Sequence, residues 1–275
     1  MFIKRQPYSI NSVSIQNPDR VWNPFTKMKK EIYINPAFKH LSAAINSISE
    51  NFENKGELTH TGRNQVRVID VNGFKMVAKY FKRITLANRY IYATIRKSKA
   101  QRSFENSVYL LSRGINTPEP IAYINLYKFG MLYKCYYISV YTDFKPLTEI
   151  FEQTIPESEG ALKAFAKFTF KLHRSGIAHN DYTVNNILYT QENDKYKFSL
   201  IDNNRMTFRK YSYTRGIKDL ERLKIPVDKM GIIAAEYAKE ANTSDIRTLN
   251  AMLFFRIRYL FKGRLRGWVK AFLSL

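Results

Sequence analysis

Two β-rich runs, residues 64–71 and 74–81, meet at Asn72-Gly73. A two-residue hairpin turn needs positive φ at both central positions, which Asn and Gly tolerate best. The dipeptide therefore predicts an antiparallel hairpin and makes the N-terminal half of the chain a sheet. On the second strand the two-residue period sets Val77, Lys79 and Phe81 on one face. A lysine between two bulky apolar residues either snorkels from an edge or is held in a cleft to meet an anion.

The flanking pattern extends this half. Glu31-Ile32-Tyr33-Ile34-Asn35 reads as a short strand. A helix over about 37–50 follows, with Phe38, Leu41, Ile45 and Ile48 as its apolar positions. Residues 82–99 read as a basic helix, and 100–112 as a second helix that turns Phe104, Val108 and Leu111 inward beside Glu105. Gly114 is placed to stop it. Strands are predicted over 121–127 and Met131 to Tyr141. From Pro146 the pattern becomes helical, with a helix over about 160–175 built on Ala161, Phe165, Phe168 and Leu172. The expectation is an α+β chain in three parts: an arm or irregular cap over 1–30, a strand-rich lobe over 31–143, and a mainly helical lobe over 144–275.

Charge narrows the company such a chain keeps. The 45 Lys and Arg outnumber 23 Asp and Glu, for a net +22. An excess of this size predicts a polyanionic partner: nucleic acid, a phospholipid surface or a phosphorylated substrate. The single cysteine, Cys135, excludes a disulfide scaffold and a Cys-based zinc site, and suits a reducing compartment. Residues Met1 to Pro7 lack a signal-peptide h-region, and no apolar run reaches the roughly 18–20 residues of a spanning helix. The expected location is cytoplasmic, or the cytoplasmic face of a membrane.

The chemistry concentrates after the 160–175 helix. Asp181 is followed five residues later by Asn186, then by two short β runs, 187–190 and 196–201, and the second run ends in Ile201-Asp202. This order suits phosphoryl transfer. One carboxylate orients and deprotonates an attacking hydroxyl, while an amide oxygen and a second carboxylate supply the hard oxygen ligands that magnesium requires. Lys79 would then meet nucleotide phosphates, with Glu105 holding its ammonium in place.

In this order the residues resemble the protein-kinase-like superfamily, and within it the lipopolysaccharide kinase (Kdo/WaaP) family. The likeness rests on Val77-Ala78-Lys79, the helix around Glu105, and Gly114-Ile115-Asn116-Thr117-Pro118-Glu119-Pro120. It also rests on His179-x-Asp181-x-x-x-x-Asn186-Ile187-Leu188 and Leu200-Ile201-Asp202-Asn203-Asn204-Arg205. The resemblance implies a bilobal kinase-like fold with ATP and Mg2+ as cofactors. It also implies transfer to a sugar hydroxyl of the lipopolysaccharide inner core on lipid A, with Kdo favoured because Asn186-Ile187-Leu188 is similar to Kdo kinases. It assigns Asp181 as the base, Asn186 and Asp202 as metal ligands, and Lys79 and Glu105 to the nucleotide. Tyr141 and Asp143 fall, by position, where adenine meets hinge backbone.

Departures from the superfamily pattern limit what carries over. No G-x-G-x-x-G precedes Lys79, so phosphate cover falls to Gly62 within Thr61-Gly62-Arg63-Asn64 or to other backbone N–H groups. Asn180 stands where protein kinases carry Arg, Asn203-Asn204 follows Asp202, and no Ala-Pro-Glu segment follows. The first argues against control by activation-loop phosphorylation, the second removes the usual Phe switch, and the third argues against a protein-substrate platform. Near the C-terminus Phe254, Ile257, Phe261, Leu265, Trp268 and Phe272 recur at helical spacing among Arg256, Arg258, Lys262, Arg264, Arg266 and Lys270. No acidic residue follows Asp245. Either a docked helix with a basic outer face or an interfacial helix on anionic lipid fits this pattern, and the same basic residues could bind acceptor phosphates directly. Other readings remain open: a kinase for a protein or another small-molecule hydroxyl, or a non-catalytic lipid-binding pseudokinase. Nothing in the sequence matches a nucleic-acid-binding fold, so no nucleic acid partner is expected. Oligomeric state leaves no trace.

Overall fold

The structure, a computed structural model, describes residues 18–23, 28–193 and 195–272. Two compact units divide the chain. The first is Met1–Gly114 with Glu119–Val140, and the second is Ile115–Pro118 with Tyr141–Leu275.

The first unit runs β1 (Asp19–Asn23), β2 (Met28–Ile34), a 3-10 segment (Pro36–Leu41), α1 (Ser42–Asn51), β3 (Glu57–Thr61), β4 (Gln65–Val71), β5 (Phe74–Tyr80), α2 (Leu86–Thr94), α3 (Lys99–Ser112), β6 (Pro120–Lys128) and β7 (Met131–Val140). All seven strands form one sheet in the order β1-β2-β6-β7-β5-β4-β3, with every neighbouring pair antiparallel. The hairpin at Asn72-Gly73 is as expected. Both residues have positive φ, 54° and 83°, and Gly73 N donates to Asp70 Oδ1 at 2.7 Å.

Both faces of the sheet are covered. Phe38, Leu41, Ile45 and Ile48 pack on Met76, Ala78, Tyr136 and Ile138. On the opposite face Tyr92 and Phe104, from α2 and α3, meet Phe81, Tyr123 and Cys135. Each such large apolar side chain contributes about 1.5–3 kcal/mol by leaving water.

Three local differences from the sequence pattern have physical causes. Residues 19–23 and 28–34 are strands, although the segment up to residue 30 reads as irregular. Strand β1 lies at the sheet edge with Val21 and Trp22 exposed, so no alternation betrays it. The rest of that segment, 1–17 and 24–27, lies outside the described residues. The basic stretch 82–99 is not one helix. Thr85 caps α2, accepting from Asn88 N, and Ser98 caps α3, accepting from Gln101 N at 3.0 Å. Two N-caps divide what composition alone joins. Along α3 it is Leu110, not Leu111, that is fully buried.

The second unit runs β8 (Lys145–Pro146), α4 (Thr148–Glu152), α5 (Ile155–Arg174), β9 (Ile177–Ala178), β10 (Ile187–Glu192), β11 (Lys195–Leu200), β12 (Thr207–Phe208), α6 (Tyr213–Asp219), α7 (Val227–Glu240) and α8 (Asp245–Phe272). Helix α5 starts earlier than its apolar stripe suggests, because Thr154 and Glu157 close a capping box there. It buries Ala161, Phe165 and Leu172, while Phe168 is half-buried. Strands β10 and β11 form the expected hairpin, pairing Ile187 with Leu200, and β8 lies on the other side of β10.

The α+β class is therefore observed: an antiparallel sheet with helices in one unit, mainly helices in the other. Among the described residues no helix is long and apolar enough to cross a membrane.

Helix α8 divides the two readings of the C-terminal segment. Its first half is docked through Thr248, Met252 and Phe255. Past Met252 the side chains of Phe254, Ile257, Phe261, Leu265 and Trp268 are all more than half exposed, Trp268 at 78%. The side chains of Lys270 and Phe272 lie outside the described residues.

Candidate functional site

In the second unit a short loop and a strand end are tied into one constellation. Helix α5 ends at Arg174 and β9 leads into His179. The ring Nε2 of His179 bonds the Ile201 carbonyl at 3.0 Å, and Ile201 N donates to Asn186 O at 3.0 Å. The Asn186 amide nitrogen donates to the Asp181 carbonyl at 2.8 Å, which leaves its side-chain oxygen free of that bond. These links bring Asp181, Asn186 and Asp202 to one place. Asp202 itself adopts a left-handed conformation, φ 61° and ψ 44°, and Asn180 does so too at φ 61°. Two non-glycine residues held there cost on the order of 1–3 kcal/mol each, and such strain concentrates where function needs a fixed geometry.

Buried groups outside the motif hold the constellation. Both oxygens of Asp219, at the end of α6, accept main-chain amides of the loop: His179 N at 2.8 Å and Asn180 N at 2.9 Å. Burial alone would raise the Asp219 carboxyl. The His173 imidazole 3.6 Å away and the loop amide of His179 outweigh that and hold it below the usual carboxylate range. Burial pushes the His179 imidazole below its ordinary value. It is neutral, with Nε2–H donating to Ile201. On the other side Thr117 donates to Leu200 O at 2.7 Å and accepts from Asn203 Nδ2 at 2.9 Å. The Gly114–Pro120 stretch singled out in the sequence thus anchors the strand end that carries Asp202.

The Asp181 carboxylate is clamped by two guanidinium groups. Arg222 Nη1 reaches Oδ1 at 2.7 Å and Arg205 Nη1 reaches Oδ2 at 3.1 Å. Arg222 also donates to the Asn180 carbonyl at 3.0 Å. The carboxylate is oriented rather than free to rotate, which a group that must align a hydroxyl needs.

The first unit carries Lys79, Glu105 and Gly62. Lys79 is inside the sheet on β5, opposite Val66 of β4 and Tyr137 of β7, with its Nζ 5.4 Å from the Phe81 ring centroid. It is a central-strand lysine rather than an edge one. Glu105 on α3 accepts from Lys97 Nζ with both oxygens at 2.8 Å and from Gln101 Nε2 at 3.1 Å. Lys97 is a partner that the sequence does not assign to it. Gly62 is exposed in the turn that joins β3 to β4. Tyr141 and Asp143 are exposed in the segment between β7 and β8, where Phe144 N donates to Thr142 Oγ1 at 3.3 Å.

Among the described residues no group of three or more His, Cys, Asp or Glu is arranged to hold a metal ion. Magnesium bound along with substrate phosphates needs only one or two protein ligands, and the oxygen-only set of Asn186 and Asp202 fits that demand. Sequence reasoning missed Asp219 and Arg222. Their one signal is an acidic and a basic residue set among Ile217, Leu220 and Leu223, all buried.

Comparisons with known proteins give a family and a fold. Residues 63–243 match the family model described as the lipopolysaccharide kinase (Kdo/WaaP) family. A 3-deoxy-D-manno-octulosonic acid kinase of Vibrio parahaemolyticus serotype O3:K6 is 23% identical over 155 residues. That alignment takes in 54% of this chain, which spans 63% of the relative's length. Among solved structures, WaaP in complex with acyl carrier protein is similar at a TM-score of 0.58 with 16% identity, covering 84% of this chain and 98% of the other. That likeness shows that the two chains share a fold. The family match takes in β4 and β5, α3, and the loop and strand end that carry Asp181, Asn186 and Asp202, and the chain belongs to the lipopolysaccharide kinase (Kdo/WaaP) family.

Proposed function

We propose that the protein is an ATP-dependent kinase that phosphorylates a Kdo hydroxyl of the lipopolysaccharide inner core on lipid A. The observation that carries this is the clamped Asp181 beside Asn186 and the strand-end Asp202, set in a chain of this family. Asp181 aligns the acceptor hydroxyl and takes its proton as the oxygen bonds the γ-phosphorus. The bond from that phosphorus to the β,γ-bridging oxygen breaks, and ADP leaves with the electron pair. Lys79 meets the nucleotide phosphates, Glu105 positions Lys79, and backbone amides around Gly62 cover the phosphates. The Tyr141–Asp143 backbone meets the adenine. Asn186 and Asp202 would hold Mg2+, which neutralises phosphate charge when bound.

The test is incubation of the protein with labelled ATP, Mg2+ and either Kdo–lipid A or the delipidated sugar, with the phosphate located by mass spectrometry. Asp181→Ala and Asp202→Ala should keep their far-UV spectra and lose transfer by at least about 100-fold. Retained activity in both variants, or transfer to a protein or another soluble hydroxyl in place of Kdo, overturns the reading.

The exposed half of α8 supports a further part of this proposal, peripheral binding to the cytoplasmic face of the inner membrane. Its apolar residues are uncovered, and basic residues alternate with them without a single carboxylate. Each such basic residue contributes about 1 kcal/mol on an anionic surface. Sedimentation with phosphatidylglycerol vesicles should fall sharply between low and high salt, and Trp268→Glu should weaken it further. Binding to acyl carrier protein, the partner in the WaaP complex, with none to vesicles would overturn the membrane part.

A further inference from the structure

A cavity of about 350 Å³ opens beside Asp181, entirely within the second unit. Its walls carry Arg209, Lys210, Arg215, Lys218 and Arg222, and none of the roles proposed above uses the first four. The carboxylates on the wall are Asp219 and Glu221. Asp219 is already committed to two loop amides. The space is therefore electropositive even after Arg222 is assigned to Asp181. Thr207, Tyr211 and Ser212 share the rest of the lining with Gly176, Ile177 and Ala178, a mixed wall in which a few polar groups stand beside apolar surface, as small-molecule sites have. The volume is in the range of small-molecule sites.

The cavity wall is also built to be stiff. Gly176 has φ 75°, and a Cβ there would lie 2.3 Å from the Arg209 carbonyl oxygen. Only glycine permits the approach that lets Arg209 N donate to Gly176 O at 2.8 Å. Arg215 Nη2 donates to the Lys210 carbonyl at 2.8 Å. The two bonds fix the main chain that presents Arg209 and Lys210. Arg222 faces the cavity and Asp181 at once, and Asn180, the residue before Asp181, lines the space. A sugar seated here lies one residue from the proposed base.

We infer that this cavity is the acceptor-anion site: it binds an oxyanion carried by the acceptor sugar, so that the acceptor is recognised as an acidic sugar and not through its hydroxyls alone. The carboxylate of an octulosonic acid and a phosphate on the same glycolipid share this chemistry. The inference rests on the kinase reading for its link to transfer, whereas binding can be measured without it.

The variants are Arg209→Glu and Lys218→Glu, both at exposed positions. With Kdo–lipid A as acceptor each should raise the acceptor KM at least about tenfold, while the KM for ATP and the kcat at saturation stay within about twofold. Calorimetric titration with free Kdo and with inorganic phosphate separates the sources. Loss of Kdo binding with phosphate binding intact identifies a carboxylate site, and loss of both identifies a general oxyanion site. If no sugar is phosphorylated by the parent protein, the kinase reading fails, and the titrations still decide the cavity. Unchanged acceptor KM and unchanged Kdo affinity in both variants overturn the inference. Circular dichroism and ADP binding establish that each variant is folded. If either is not, Arg209→Gln and Lys218→Gln are measured in the same way.

Discussion

The two units hold their key carboxylates in different ways. In the second, Asp219 is buried and accepts two main-chain amides from the loop that bears Asp181, and Thr117 and Asn203 brace the strand end that bears Asp202. In the first, Glu105 is held by Lys97, whose side chain is 58% exposed. Hydrogen bonds to a buried charge contribute about 1.5–3 kcal/mol each, while an exposed ion pair contributes about 0.2–1 kcal/mol. The second unit's carboxylates are preorganised, and the first unit's is held by a contact that side-chain motion can exchange. The difference matches what each set of residues is proposed to do: the loop must fix a reacting hydroxyl, whereas a phosphate grip has to let nucleotide in and out.

The largest break in that contrast comes at Asp219. Replacing it by Ala leaves the amides of His179 and Asn180 without acceptors in a buried place, and urea unfolding should show a loss of about 3 kcal/mol. Asp219→Asn keeps one acceptor oxygen and should lose less than half as much. A loss from Glu105→Ala as large as that from Asp219→Ala would remove the contrast altogether.

This asymmetry also explains what the sequence discloses. Lys79, Asp181, Asn186 and Asp202 stand at spacings that chemistry constrains, and the Asn72-Gly73 turn and the α3 and α5 stripes are local patterns, so all are readable along the chain. Asp219 and Arg222 act on a loop some forty residues earlier in the chain (Arg222 lies 41 positions from Asp181), and no local period records such a contact. Strand β1 is hidden for a different reason, since an exposed edge has no face to bury. Helix α2 is shorter than its composition suggests because single side chains at Thr85 and Ser98, not hydrophobicity, set the boundaries.

Acid should act next, on the buried groups of the second unit. Burial holds His179 neutral below its ordinary value, so between that lowered value and about pH 6.5 the unfolded chain binds the extra proton. The stability this group confers is complete above about pH 6.5 and is lost as pH falls through the folded value. Asp219, held below the usual carboxylate range despite its burial, has the same sign. Its contribution is present above about pH 3.9 and is lost as pH falls through its lowered value. Denaturant midpoints should therefore decline in two stages on acidification, and His179→Gln should flatten the first stage. A midpoint that stays level from pH 7 to pH 5 in the parent protein would contradict the burial of a neutral imidazole in the loop.

The smallest effect expected is at Lys97, and it sharpens the contrast most. Lys97→Ala removes an exposed partner of Glu105, so stability should fall by no more than about 1 kcal/mol, and raising the salt concentration should shrink the difference from the parent. Activity distinguishes a placeholder from a working part. If Glu105 serves Lys79 during turnover, Glu105→Gln should raise the KM for ATP and lower kcat by about tenfold or more, because a misplaced ammonium fails to meet the phosphates. Lys97→Ala should leave both within about threefold of the parent, since freeing Glu105 costs the phosphate grip nothing. Equal losses from the two variants would instead make the Lys97–Glu105 pair itself the structural unit, and Glu105 would then be as fixed as the carboxylates of the second unit.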